Sequence, residues 1–283
     1  MAGGILWLAS YPKSGNTWVR IFLENLFRNG AEPVSINDLN VVSFGDAQRD
    51  LYLSLTDRPI EGLSDEELDK LRPVLQQKLA GRPETSIVKT HNRIGFVGDV
   101  PIISFEHTMG AIYVVRNVFD VAVSFAAHYD GTMDQVVDGL CRDSMHTPTT
   151  RAAIVQYLGP WGEHYLSWTK GIAGFEPLVL RYEDLRARPF KEFSRIVKFL
   201  NIPATPERVK KAIRFSSFDE VSRQEKSGGF RERVRADQTF FREGRVGGWR
   251  RHLSDDQVAR LIEVHGPVLR ELKYIDKNGK PTV

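Results

Sequence analysis

Nine consecutive residues, Ser10-Tyr11-Pro12-Lys13-Ser14-Gly15-Asn16-Thr17-Trp18, carry a lysine, hydroxyls and a glycine between an apolar run and an amphipathic one. Strand, glycine-containing turn and helix N-terminus together form an anion site, because backbone N–H groups and the positive end of the helix dipole face the same point. The Ser14 and Thr17 hydroxyls add donors, and Pro12 stiffens the approach. Against the nucleotide P-loop pattern, Gly15 and Thr17 match, Ser10 stands where the first glycine belongs, and Asn16 replaces the lysine, which has moved to Lys13. An NTPase needs that lysine on the β/γ-phosphates and an acid to help hold Mg²⁺, so the nucleotide expected here lacks a triphosphate. An ordinary strand-to-helix turn is the plain alternative.

Three further segments place polar groups after apolar runs. Val88-Lys89-Thr90-His91 offers a histidine, suited by its pKa to take a proton near neutrality, beside a lysine that can stabilise developing negative charge. A hydrogen-bonded structural histidine is the competing reading. None of the seven histidines stands at metal-ligand spacing from another or from Cys141, so no metal site is expected. Arg116, after Tyr113-Val114-Val115, could fork onto a phosphate or pair with Asp120, and Ser124 lies one turn beyond Asp120 on the same helical side. Tyr182 closes the series after Arg181.

Something must bring these residues together, and the apolar pattern supplies it. Short buried-strand runs at 5–9, 86–89, 111–115 and 178–181 alternate with helical periods, which predicts an α/β fold with a central, mainly parallel sheet flanked by helices. In such a sheet the carboxyl ends of the strands share one edge, where ligands bind, so Lys13, His91, Arg116 and Tyr182 are expected to meet there. Helices are predicted over 17–29 with Gly30 as its C-terminal cap, from the Ser64/Glu67 capping box to about Gly81 with a kink or break at Pro73, and over 118–129, 190–200 and 254–272. The last opens on a Ser254/Gln257 capping box and should bend at Pro267. Irregular stretches at 34–59, 130–150 and 223–252 read as mobile loops, the third holding nine Lys or Arg against four acids.

Composition narrows the function classes. The 283 residues are 41% hydrophobic and 27% charged, which describes a globular chain and rules out disorder as the main state. A single domain over 1–283 is expected. One cysteine provides no disulfide framework and points to a reducing, cytoplasmic compartment. No apolar run approaches the ~20 residues of a membrane span, and Ile5-Leu6-Trp7-Leu8 is too short for a signal peptide's apolar core. A net charge of +3 does not by itself argue for nucleic acid or anionic lipid.

In these motifs the chain resembles the sulfotransferase family that uses 3′-phosphoadenosine 5′-phosphosulfate, in its cytosolic type and a bacterial-style, small-molecule form. The likeness runs in the family's order from Tyr11 to about Trp249. The resemblance implies that the 5′-phosphosulfate loop is Tyr11 to Trp18, with Ser14, Gly15, Asn16 and Thr17 around the phosphosulfate, Lys13 on its bridging and sulfuryl oxygens and Trp18 stacked on adenine. Arg116 and Ser124 correspond to the 3′-phosphate ligands, His91 to the catalytic base and Lys89 to its companion. Tyr182 and the group Ser216-Ser217-Phe218 are similar to the adenosine-side contacts, and Phe241, Arg242 and Gly244 belong to the closing phosphate loop. The implied acceptor is a small molecule carrying a hydroxyl or, as second choice, an amine, and the implied reaction needs no metal.

The departures are as informative. Glu243 stands where cytosolic members carry a lysine and Gly248 where they carry an aspartate, so the geometry of that loop is open. The lysine-threonine-valine-glutamate pattern used for dimerisation in animal members is not evident before Phe240, which leaves the oligomeric state open. Two rival functions compete: a Mg²⁺-dependent kinase on a P-loop-like sheet, against which Asn16 argues, and a nucleic-acid binder using the basic 223–252 stretch, against which the near-neutral overall charge argues.

Overall fold

A computed structural model describes residues 3–42, 44–129, 131–233 and 239–283. In chain order these form β1 (Ile5–Ser10), α1 (Asn16–Arg28), β2 (Phe44–Gly45), α2 (Arg49–Leu53), α3 (Asp65–Ala80), β3 (Ser86–Thr90), β4 (Phe96–Val97), β5 (Val100–Pro101), β6 (Thr108–Val115), α4 (Val118–Tyr129), α5 (Met133–Leu140), β7 (His146–Thr147), β8 (Gln156–Tyr157), α6 (Trp161–Thr169), β9 (Leu178–Arg181), α7 (Tyr182–Ala187), α8 (Pro189–Phe199), α9 (Pro206–Phe215), α10 (Phe218–Gly228) and α11 (Asp255–Glu271). Five strands make one parallel sheet in the order β2-β3-β1-β6-β9. Register runs from Ile5 opposite Ser86 to Ala9 opposite Thr90, with Gly45 opposite Lys89. Every residue of β1 is buried, as expected of a central parallel strand covered on both faces. The four strands predicted from the apolar runs are β1, β3, β6 and β9.

The chain divides into two compact units, and the division falls inside β6, α5 and β9. The first comprises Met1–Tyr11, Ser43–Tyr113 and Gly139–Val179. Here α3 packs on β1, and the Trp7 and Trp168 rings meet edge to face with centroids 6.4 Å apart. The second comprises Pro12–Val42, Val114–Asp138 and Leu180–Val283. Here α1 packs on α9, α8 on α7 and α9, and a cluster of Ile21, Ile36, Leu39, Val221 and Phe230 takes in Phe240 and Phe241.

Several expectations need correction. The cap of α1 is Asn29, not Gly30: Asn29 adopts φ 48° and its N–H bonds the Asn25 carbonyl, a left-handed turn that asparagine tolerates. Pro73 does not break its helix, which runs unbroken from the Ser64/Glu67 capping box to Ala80. The buried Arg72 guanidinium, bonded to Asp69 and the Val155 carbonyl at 2.6 Å each, pins the turn where the proline removes a donor. The supposed loop 130–150 contains α5, opened by reciprocal bonds between Thr132 and Gln135 and buried along Val136, Val137 and Leu140. The 34–59 stretch contains β2 and α2, and Arg223 and Lys226 lie on α10 rather than in a loop. Ser43, Asp130 and 234–238, which belong to those three stretches, lie outside the described residues.

Candidate active site

The turn between β1 and α1 is built for close approach. Gly15 caps α1 with φ 104°, and a Cβ there would come within 2.8 Å of the Tyr182 ring, so only glycine fits. Lys13 also has a positive φ, 68°, uncommon for a residue with a side chain. No side chain caps the helix N-terminus. Ser14 is fully buried, yet its Oγ has no hydrogen-bond partner, and neither do the buried Trp18 Nε1 and Arg116 Nε. Arg116 is otherwise anchored: it donates to the Lys13 carbonyl at 3.3 Å and to the Arg245 carbonyl at 3.0 Å, and its guanidinium lies 4.5 Å over the Tyr182 ring. The suspected pairing with Asp120 is long, at 3.9 Å. Asp120 instead accepts the amides of Gly247 and Trp249 at 2.8 and 3.0 Å, fixing the loop after Arg245.

The end of β3 is held quite differently. His91 Nδ1 lies 2.8 Å from the Ser10 carbonyl and 3.2 Å from the Ser10 hydroxyl. A carbonyl only accepts, so Nδ1 carries the proton and in the neutral ring Nε2 keeps the lone pair. On either side of His91, Thr90 Oγ1 and Asn92 Nδ2 donate to one carboxylate oxygen of Asp46, at 2.7 and 2.8 Å. Burial pushes the Asp46 carboxyl up, against the opposing pull of those two bonds. His164 Nε2 donates to the His91 carbonyl at 3.0 Å, which leaves Nδ1 to accept from Tyr113 Oη at 2.8 Å. Burial pulls His164 down to about 4, so it stays neutral in this role. Trp168 Nε1 bonds the Asn92 carbonyl at 3.0 Å.

Comparison with known proteins assigns these features to a family. A family model of the sulfotransferase domain matches residues 5–273. The chain belongs to the sulfotransferase domain family. It is 26% identical to mouse sulfotransferase 1 family member D1 over 261 residues, 90% of this chain and 80% of that protein. It is 29% identical to cytosolic sulfotransferase 8 of Arabidopsis thaliana, covering 90% and 73%. In fold it is similar to mouse sulfotransferase SULT7A1 complexed with PAP, with TM-score 0.60, 21% identity and coverage of 98% and 87%. It is likewise similar to retinol dehydratase in complex with androsterone and PAP, with TM-score 0.61, 17% identity and coverage of 97% and 83%.

This sulfotransferase therefore has two groups of candidate residues. In the second unit lie Lys13, Ser14, Gly15, Asn16, Thr17, Trp18, Arg116, Ser124, Tyr182, Ser216, Ser217, Phe218, Phe241, Arg242 and Gly244; in the first lie Lys89 and His91. A cleft of about 860 Å³ in the second unit brings together Phe218, Phe241 and Arg242, with Ser222 and Thr239 beside them. Gly244, at φ 58°, passes so close to Phe218 that a Cβ would stand 2.5 Å from its ring. The Trp18 ring meets Tyr182 and Phe193 edge-on, with centroids 5.8 and 5.2 Å apart. Ser217 caps α10, accepting the Glu220 amide at 3.4 Å, and buried Ser216 bonds the Ile213 carbonyl at 3.2 Å. Glu243, whose charge is unfavourable beside a phosphate, is engaged by Arg251 at 3.0 Å. Among the described residues no helix is long and apolar enough to cross a membrane, and no group of His, Cys, Asp or Glu could hold a metal ion. Sequence reasoning passed over Asp46 and His164. Asp46 reaches Thr90 across 44 residues, and no local pattern flags such a pairing.

Proposed function

We propose that this sulfotransferase moves the sulfuryl group of 3′-phosphoadenosine 5′-phosphosulfate to the hydroxyl, or as second choice the amine, of a small acceptor, its two units acting as one domain over 1–283 in a cytosolic setting. One observation carries the reading: Ser14 Oγ, Trp18 Nε1 and Arg116 Nε are buried donors without protein partners at a glycine-capped helix start. Buried donors are rarely left unpaired, and an anionic nucleotide would satisfy these three. Two solved relatives are complexed with PAP, one of them with androsterone as well, and curated relatives are called cytosolic.

In this reading Ser14, Gly15, Asn16 and Thr17 hold the 5′-phosphosulfate; Arg116, Ser124, Arg242 and the Gly244 backbone hold the 3′-phosphate; Trp18, Tyr182, Ser216, Ser217, Phe218 and Phe241 face the adenosine. The donor supplies an activated sulfuryl group. His91, with Nδ1 fixed on the Ser10 carbonyl, takes the acceptor's hydroxyl proton on Nε2. The acceptor oxygen bonds to sulfur as the bond from sulfur to the 5′-phosphate oxygen breaks, and the electron pair departs on adenosine 3′,5′-bisphosphate. Lys13 and Lys89 stabilise the charge that grows on the sulfuryl and leaving oxygens. The scheme asks for no metal, since the helix start and Arg116 answer the donor's charge.

Calorimetric titration with adenosine 3′,5′-bisphosphate, beside ATP with and without Mg²⁺ at matched salt, tests this. Tight, metal-independent binding of the bisphosphate is expected, and preference for ATP with Mg²⁺ would overturn the proposal.

A further inference from the structure

Glu225 lies seven residues into α10 from Phe218 and is 4% exposed. One of its carboxylate oxygens accepts the Phe240 amide at 2.7 Å and the other the Phe241 amide at 2.9 Å, while Arg233 Nε stands 3.9 Å away. Two adjacent main-chain donors on one buried carboxylate are charge-assisted bonds, stronger and more directional than neutral ones. What they fix matters for the site. The Phe240 ring lies under the Lys13 ammonium, 4.1 Å from Nζ to centroid, and Phe241 lines the same cleft as Phe218 and Arg242. Helix α10 thus grips the loop at two points, through Glu225 at 240–241 and through the Phe218 ring against Gly244.

We propose that Glu225 is a positioning residue for the donor nucleotide. It holds the Phe240–Phe241 backbone so that one ring seats the Lys13 ammonium and the other, with Arg242, shapes the nucleotide cleft. This inference rests on the donor reading given above. Removal of the carboxylate leaves two buried amides unpaired and lets the pair shift, which uncouples Lys13 from its seat. A purely structural role would lower stability and leave the affinity of the folded protein unchanged.

The test is calorimetric titration of adenosine 3′,5′-bisphosphate into wild type, Glu225→Gln, Glu225→Ala and, as a charge-matched control on the same helix, Glu220→Gln, with melting curves for each. Glutamine can accept one amide but turns its own NH₂ toward the other, so about a tenfold rise in Kd is expected for Glu225→Gln, more for Glu225→Ala and none for Glu220→Gln. Should the Ala variant not fold, Phe240→Leu keeps the apolar packing, removes the ring under Lys13, and should weaken binding as well. Unchanged Kd in folded Glu225→Gln and Phe240→Leu would overturn the positioning role. A wild type that fails to bind the bisphosphate would instead remove the donor reading itself.

Discussion

The β3 end and the β1–α1 turn are both strand ends that carry a candidate reactive residue, and they treat hydrogen bonds in opposite ways. Around His91 the protein satisfies its own groups: Ser10, Asp46, His164 and Trp168 each bond the 90–92 segment, which fixes the imidazole's tautomer and the backbone that carries it. Around Ser14 the protein withholds partners from buried donors while fixing the backbone with a positive-φ glycine. In the proposed function the difference separates two tasks. A base must be oriented by groups that do not leave with the product, whereas a binding loop keeps donors in reserve for a ligand that comes and goes.

Four changes would break or sharpen that contrast. The largest effect is expected from His91→Ala, which should lower kcat by about 10²–10⁴-fold while bisphosphate affinity stays put; near-normal turnover would remove His91 as the base. Next comes acid sensitivity through His164. Its folded pKa of about 4 lies below the ordinary 6.5, so the unfolded chain binds the proton first as pH falls. The stability that a neutral His164 represents is whole above pH 6.5 and declines toward pH 4, by roughly 3 kcal/mol at the limit. Urea melts across that window should show a shallower decline for His164→Gln; an identical slope would mean that another group titrates.

Arg116→Ala should act on binding rather than turnover, weakening the bisphosphate about 10- to 100-fold through loss of a charge-assisted partner. Unchanged affinity would leave Arg116 as no more than a brace for the Lys13 and Arg245 carbonyls. The smallest effect separates shape from charge at Asp46. Asp46→Ala, which orphans Thr90 and Asn92, should cost about tenfold in kcat, whereas Asp46→Asn keeps an acceptor oxygen for both donors and should cost little. Equal losses in the two would show that the charge, not the bonding, matters.

Much of this was legible beforehand because it is local. The four apolar runs form four of the five sheet strands, since a buried parallel strand must be apolar on both faces. The capping boxes at Ser64 and Ser254 formed as written, since the partners are three residues apart. Helix α5 was not legible, because its apolar positions Met133, Val136, Val137 and Leu140, though at helical spacing, fill a segment too short to establish a period, and its start depends on a Thr132–Gln135 exchange in a polar neighbourhood.

The sequence by itself determined the glycine-turn-helix motif, the histidine after β3, the arginine after β6 and the family to which they belong, because each depends on residues within a turn or two of one another. Tertiary structure decided the rest. Whether Arg116 spends itself on Asp120 or keeps Nε unpaired depends on where Gly247 and Trp249 place their amides, some 127 residues away. Likewise Asp46 and His164 find their partners 44 and 73 residues away, and Glu225 bonds the Phe240 and Phe241 amides beyond its own helix. A buried carboxylate or imidazole finds its function in the donors that surround it, and folding chooses those donors.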